Sequence, residues 1–325
     1  MKRIVIENSN YGLLLSFLIL EDFKNAKYIL GDYYSENSSL VLNMRKLGIE
    51  VEISNYHSMK ESGFFKYYFR RVRDVFFEFG KRENIEVYGN DNLEISIPYR
   101  KYGMKLIEDG TINYSFFHGM KKRKTLKNKM KDILRIVPSE KKSFGLDERV
   151  EKIYLTGLME IPREIEKKVE IINMKNLWEG KSEEERENIL EIFDFNRDVL
   201  EKLKGRDIIL FTQPVSEDCD FDELEKVTIY EEILKNYPKE RVVIKTHPRE
   251  KTKYRDFFPD YLVLDKPFPF ELLNLLGVKF KKSVTLFSTA ALGLGEDVEV
   301  DFYGTRVHPE IEKKFGSCDI DELKK

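Results

Sequence analysis

The sequence predicts an α/β protein made of two Rossmann-like domains facing a central cleft. Three observations carry that expectation. At 325 residues the chain is too long for one ordinary domain and suits two of about 150. Short β-rich apolar runs alternate with helix-like stretches, the pattern of a mostly parallel sheet with helical crossovers. Hydrophobic residues make up 41% of the chain and aromatic residues 13%, enough to fill large cores and to exclude wholesale disorder.

In the first half, residues 3–6 read as the opening strand, closed by the polar turn Asn8-Ser9-Asn10. Residues 11–20 follow as an apolar helix of about three turns. Residues 27–30, 49–53, 85–88 and 93–97 are further strand candidates, 104–107 is a mostly apolar run, and 36–47 and 64–79 are helix-like. Residues 152–156 and 169–173 read as the last strands of this half. Ser182 before Glu183-Glu184-Glu185 then reads as an N-cap with an acidic first turn, opening one long helix that Gly205 terminates. The expected boundary lies near residue 180, giving domains 1–180 and 181–325. Beyond Gly205 the alternation resumes, with strands at 207–211, 241–245, 261–264 and 283–287 and a helix over 222–236. No internal repeat interrupts it.

Fifty-six Lys and Arg against fifty-eight Asp and Glu leave a net charge of −2, which argues against nucleic acid as a general partner. The balance hides a division. Residues 1–180 hold thirty-two basic and twenty-six acidic side chains, and residues 181–325 hold twenty-four and thirty-two. Cys219 and Cys318 are too few for a disulfide framework and point to a reducing compartment. The apolar run 13–20 is far short of the roughly 20 residues that span a bilayer, and Glu21-Asp22 stand where a signal peptide would be cleaved. The expectation is a cytoplasmic protein without a transmembrane segment.

Four constellations carry chemistry. Thr246-His247-Pro248 directly follows a strand, which places His247 at a carboxyl end, where open α/β sheets bind ligands. A histidine there can give a proton or a hydrogen bond to a leaving phosphate; a packing role in the loop is the alternative. His308-Pro309 repeats the dipeptide near the C-terminus, with no further strand-end site downstream, and reads as structural. Ser288-Thr289 closes a strand before small residues, a place suited to phosphate binding or to a plain N-cap. Glu108-Asp109-Gly110 could set one acid in the cleft as a general base, or form a solvated turn. Glu271 opens a helix-like segment after Lys266-Pro267-Phe268-Pro269 and could accept hydrogen bonds from a ribose, or simply serve as an acidic helix start. Asp218-Cys219-Asp220 matches a metal-binding spacing but lies in an acidic run, so a solvated loop is the better reading. Zinc spacings, a phosphate-binding Gly-x-x-x-x-Gly-Lys loop and a Gly-x-Ser-x-Gly elbow are all absent from the sequence, and Gly293-Leu294-Gly295 lacks the third glycine of a dinucleotide fingerprint.

In order and spacing these pieces resemble the bacterial sialyltransferases of the GT-B type, most closely glycosyltransferase family 52, the lipooligosaccharide sialyltransferases. That family shares an acidic-acidic-Gly motif, a His-Pro and a Ser-Ser/Thr pair, which here are Glu108-Asp109-Gly110, His247-Pro248 and Ser288-Thr289, the last two 41 residues apart. The resemblance runs from the N-terminal strand to about Gly295. It implies a GT-B fold, CMP-sialic acid as donor, a terminal galactose of a surface glycan as acceptor, and no cofactor or metal. By the same resemblance His247 assists departure of the CMP phosphate, Ser288 and Thr289 hold it, and Glu271 contacts the ribose. Gly110 and Pro248 complete their motifs on the donor side. A carboxylate deprotonates the acceptor for one inverting displacement; Glu108 or Asp109 is the motif choice, with Asp218 a second candidate. The rivals are a transferase using a UDP-hexose and a non-catalytic glycan- or nucleotide-binding protein on the same scaffold.

The basic half then acquires a purpose. Lys121-Lys122-Arg123-Lys124 with Lys127, Lys129 and Lys131, and the aromatic and basic stretch 64–71, could lie on an anionic membrane surface, on the inner face of the cytoplasmic membrane. An ordinary amphipathic helix and a solvated lysine run are the alternative. Members of such a family can form homodimers through an N-terminal element, so residues 11–20 are expected either between subunits or buried within one.

Overall fold

The structure, a computed structural model, describes residues 2–31, 33–54, 84–114, 143–295 and 297–318. It divides into two compact units, Met1–Asp194 and Phe195–Lys325. The basic and aromatic segments 64–71 and 121–131, and the expected helix 64–79, lie outside the described residues.

Unit 1 is built on seven parallel strands: β1 (Lys2–Glu7), β2 (Lys27–Leu30), β3 (Glu50–Ile53), β4 (Ile85–Gly89), β5 (Met104–Ile107), β6 (Val150–Leu155) and β7 (Val169–Ile171). Their order is β3-β2-β1-β4-β5-β6-β7, so the winding reverses between β1 and β4. A parallel sheet covered on both faces demands strands without a polar side, which is why Ile4, Val5 and Ile6 in succession are all buried. Helix α1 (Asn10–Ile19) starts where Ser9 accepts the Gly12 N–H, and α2 (Ser39–Lys46) follows β2. Leu13, Leu14, Leu15, Phe17 and Leu18 of α1 are all buried, at about 1.5–3 kcal/mol each for a fully buried side chain. Phe17 meets Phe23, Tyr28 and Phe193 at ring separations of 5.1, 5.5 and 5.9 Å. The apolar N-terminal helix is therefore consumed inside one subunit, which is the second of the two places expected for it.

Two expectations for unit 1 change. Residues 93–97 are not a strand: Glu94–Tyr102 is a 3-10 helix, with Pro98 inside it and the Ser96 hydroxyl donating to the Leu93 carbonyl at 2.7 Å. The single long helix after Ser182 is two helices. After α3 (Met174–Gly180), α4 (Glu183–Ile192) begins with the expected capping box between Ser182 and Glu185 but stops at Phe193, where Asp194 adopts φ +51°; α5 (Asp198–Leu203) restarts beyond it. Because α4 packs on α2, the first unit extends to Asp194 rather than ending near residue 180.

Unit 2 carries β8 (Ile208–Phe211), α6 (Glu223–Leu234), β9 (Val242–Lys245), β10 (Leu262–Leu264), α7 (Glu271–Leu275), β11 (Lys282–Thr285), β12 (Glu299–Phe302) and α8 (Pro309–Phe315). All five strands are parallel in the order β10-β9-β8-β11-β12, which reverses between β8 and β11. The strand β12 is one the sequence reading missed, so His308 does have a strand upstream of it. His308 is nonetheless structural: it caps α8 by accepting the Glu310 N–H at Nδ1 and stacks on Phe221 at 4.3 Å. Neither Cys219 nor Cys318 forms a disulfide among the described residues. Among the described residues, no helix is long and apolar enough to cross a membrane.

Candidate functional site

In an open α/β sheet ligands bind beyond the carboxyl ends of the strands, where the winding reverses. In unit 2 that place is the pair β8 and β11, and a cavity of about 260 Å³ opens there. It is lined by Gln213, Pro214 and Val215 after β8, by Phe287, Ser288 and Thr289 after β11, by His247 and Arg249 after β9, and by Asp218 and Phe315. Four residues singled out from sequence, Asp218, His247, Ser288 and Thr289, thus share one pocket.

The two flanking strand ends are tied together. The Gln213 side-chain oxygen accepts the Phe287 N–H at 2.9 Å, and the Thr285 hydroxyl accepts the Ser288 N–H at 2.9 Å. The Ser288 hydroxyl in turn accepts the Ala290 N–H at 3.3 Å and caps the 3-10 turn Thr289–Leu294. Ser288 is thus an N-cap, and a cap uses the oxygen while leaving the hydroxyl proton for a ligand.

His247 is held from below. Its backbone N–H donates to Glu250 Oε2 at 2.9 Å, and its Nδ1 accepts the Arg249 N–H at 3.2 Å. With Nδ1 an acceptor, the proton of the neutral ring resides on Nε2. Burial pushes the imidazole down to about 4, and the positive charges of Arg249 and Lys245 add to the shift. His247 therefore lines the cavity as a neutral ring with one N–H to donate.

Glu250 belongs to a buried network that the sequence reading did not find. Its other oxygen accepts the Tyr254 hydroxyl at 2.7 Å, and the Thr212 hydroxyl donates to Oε2. Lys226, fully buried in α6, reaches Glu217 at 2.8 Å and Glu250 at 3.6 Å, while Glu217 accepts the Lys251 N–H at 2.8 Å. Burial drives the Glu250 carboxyl up; for Glu217 the bonds from Lys226 and the Lys251 N–H outweigh burial and bring it down. The one signal for this arrangement in the sequence is Glu250 three residues beyond His247, the spacing of a turn-closing carboxylate.

Pro248 sits exposed in the same turn. Asp218 ends a single helical turn, Val215–Asp218, and takes both guanidinium nitrogens of Arg249, at 3.0 and 2.8 Å. Glu271 lies outside the cavity lining, in the first turn of α7. The segment before it is anchored by buried Phe268 and Phe270 and by Lys245, whose ammonium donates to the Thr246 and Lys266 carbonyls at 3.0 and 3.1 Å. Burial brings Lys245 down to about 8, against the pull of Glu271, Asp265 and Glu250.

In unit 1 the motif carboxylates separate. Glu108 is fully buried and satisfied: Tyr11 and Tyr114 hydroxyls donate to its two oxygens at 2.6 Å each, and Thr156 adds its N–H at 2.6 Å and its hydroxyl at 2.9 Å. It ties β5 to α1 and β6, which is a structural task. Asp109 is partly exposed. Its carboxylate accepts Asn90 at 2.7 Å, its N–H donates to Asn113 at 2.6 Å, and Gly110 turns the chain with φ +68°. Burial raises the Asp109 carboxyl, with Asn90 and Ser9 hydrogen bonds opposing.

Beside it, at the end of β1, is a carboxyl that sequence reasoning passed over as a strand end. Glu7 is fully buried, and neither oxygen has a hydrogen-bond partner among the described residues. Burial first and the charge of Asp109 second hold it well above the usual carboxylate range. It fits only because residue 12 is glycine: a Cβ there would lie 2.2 Å from Glu7 Oε2.

Among the described residues no group of three or more His, Cys, Asp or Glu side chains is placed to hold a metal ion.

Comparison with known proteins gives this geometry its context. An uncharacterised protein of Haemophilus influenzae is 36% identical over 324 residues, covering 96% of this chain and 98% of that one. The sialyltransferase of Photobacterium damselae, solved as its GT-B domain, superposes with a TM-score of 0.60 at 12% identity, covering 93% of this chain and 90% of that one. A 2,6-sialyltransferase of Photobacterium sp. JT-ISH-224, solved with CMP and lactose, gives a TM-score of 0.64 at 9% identity, covering 93% and 71%. The likeness to these two structures is one of fold, the GT-B arrangement of two Rossmann-like units. The model of glycosyltransferase family 52 matches residues 29–311, and the chain belongs to that family.

Proposed function

We propose that the protein is an inverting sialyltransferase that moves sialic acid from CMP-sialic acid to a terminal galactose of a bacterial surface glycan, lipooligosaccharide or capsule. The observation that carries this reading is the cavity between the β8 and β11 ends, where His247, Ser288 and Thr289 meet. A neutral imidazole N–H, a capping hydroxyl and a second hydroxyl suit the phosphate of a nucleoside monophosphate. The fold neighbour solved with CMP and lactose supports the same donor and acceptor classes.

In the proposed reaction the acceptor hydroxyl gives its proton to the Asp109 carboxylate as its oxygen attacks the anomeric carbon of sialic acid. The bond from that carbon to the phosphate oxygen breaks, and its electrons leave with CMP. His247 Nε2–H and the Ser288 and Thr289 hydroxyls stabilise the charge that develops there. Glu271 contacts the ribose. With charge neutralised by these donors, no metal is required. The work belongs in the cytoplasm, with the protein in peripheral contact with the anionic inner membrane face.

A donor screen tests the reading. Release of CMP from CMP-sialic acid should rise on adding lactose and persist in EDTA. Turnover of UDP-glucose or UDP-galactose instead would overturn the donor assignment.

A further inference from the structure

Ten residues line the unit 2 cavity, and among them Arg249 is the one permanent cation and Asp218 the one carboxylate. They neutralise each other through the two-bond pair already described. Neither is locked away: the Arg249 side chain is 45% exposed and that of Asp218 is 25% exposed. An ion pair so open to water is weak, and a guanidinium binds a phosphate in the same forked geometry as a carboxylate. The Arg249 backbone is fixed by its N–H on His247 Nδ1, so its side chain starts from the same turn as the ring that serves the leaving group.

We propose that Arg249 is the phosphate clamp of the donor site and that Asp218 is its resident stand-in, displaced when the nucleotide phosphate arrives. Asp218 is thereby the group that keeps the clamp aligned and balances its charge. Exchange of partners moves no proton; one anion replaces another on the guanidinium, and the released carboxylate turns to water. This rests on the nucleotide-dependent reading above and adds to it the residue that discriminates a charged donor from a bare nucleoside.

Calorimetric titration of the full chain with CMP and with cytidine tests it. The wild type should prefer CMP. R249Q should lose about tenfold to hundredfold in CMP affinity, the equivalent of one charge-assisted hydrogen-bonded contact, and keep its cytidine affinity. R249K should retain part of the preference, since an ammonium supplies charge without the fork. D218N should bind CMP several-fold more tightly, because the competing carboxylate is gone, with cytidine unchanged. An R249Q protein with the wild-type ratio of CMP to cytidine affinity overturns the clamp. A D218N protein that binds CMP more weakly overturns the stand-in. Should the wild type select UDP over CMP, the donor assignment fails, and UDP against uridine decides the clamp with the same variants. A wild type that binds neither CMP nor UDP sinks both proposals.

Discussion

Glu250 accepts the backbone N–H of His247 at 2.9 Å while lying 3.6 Å from the buried ammonium of Lys226. One cation thus balances two carboxylates, Glu217 and Glu250, beneath the turn that carries the imidazole. Lys226→Met leaves the buried Glu250 and the partly buried Glu217 carboxylates without it and should destabilise the fold by about 3–5 kcal/mol. Glu250→Gln keeps Lys226 paired with Glu217 and should be much milder in a thermal melt. It should still lower kcat, since one amide oxygen cannot accept from His247, Thr212 and Tyr254 as two carboxylate oxygens do. Equal melting temperatures for Lys226→Met and wild type would refute this account.

The imidazole itself is the second test. A base whose folded value lies at about 4 is neutral throughout the working range, so His247 should contribute no acid limb to kcat/KM above about pH 5.5. The chain has four histidines, which makes the ring signals assignable by NMR with His247→Ala as reference. One ring should titrate near 4 and vanish in that variant. Lys245→Met removes a charge that depresses it, and the same ring should then titrate higher. His247→Ala should stay folded and lose about 10²–10⁴ in turnover; a folded variant with undiminished turnover would show that the ring does not serve the reaction.

How much of this is legible in the sequence depends on how local the signal is. His247, Ser288 and Asp109 follow apolar runs and precede turn formers, and a parallel sheet places every such position on one edge. Lys226 gives no such signal. It stands among the charges of α6, and its burial comes from Glu217 and the Glu250 turn, which arrive from other parts of the chain. The break at Asp194 is equally hidden, because apolar spacing continues across it while the backbone takes a positive φ. Glu7 is legible only as the end of a strand; that its carboxyl finds room there depends on Gly12, in the next helix.

Glu108 and Asp109 are neighbours with opposite expectations. Asp109→Asn should leave the melting temperature near that of the wild type and abolish most turnover, by about 10²–10⁴ for a lost general base. Glu108→Gln should do the reverse. It replaces a carboxylate that receives four hydrogen bonds with an amide whose nitrogen cannot accept any, and a bond to a charged group is worth about 1.5–3 kcal/mol. Thermal melts beside initial rates separate the two roles, and a Glu108→Gln protein that is stable but inactive would exchange them.

Glu7 sets a pH dependence of stability whose sign can be worked out. Its folded carboxyl titrates well above 4.5, held up by burial and then by Asp109, while the unfolded chain has an ordinary carboxyl. Between those two values the folded protein holds a proton that the unfolded chain has released. Stability is therefore full below the unfolded value and falls as pH rises toward the folded one. Glu7→Gln keeps a neutral group of the same shape against Gly12 and removes this loss. The melting temperature of the variant minus that of the wild type should therefore grow as pH rises above the ordinary carboxylate range. A difference that stays flat with pH would mean that Glu7 is ionised in the fold, with a counter-charge supplied from elsewhere.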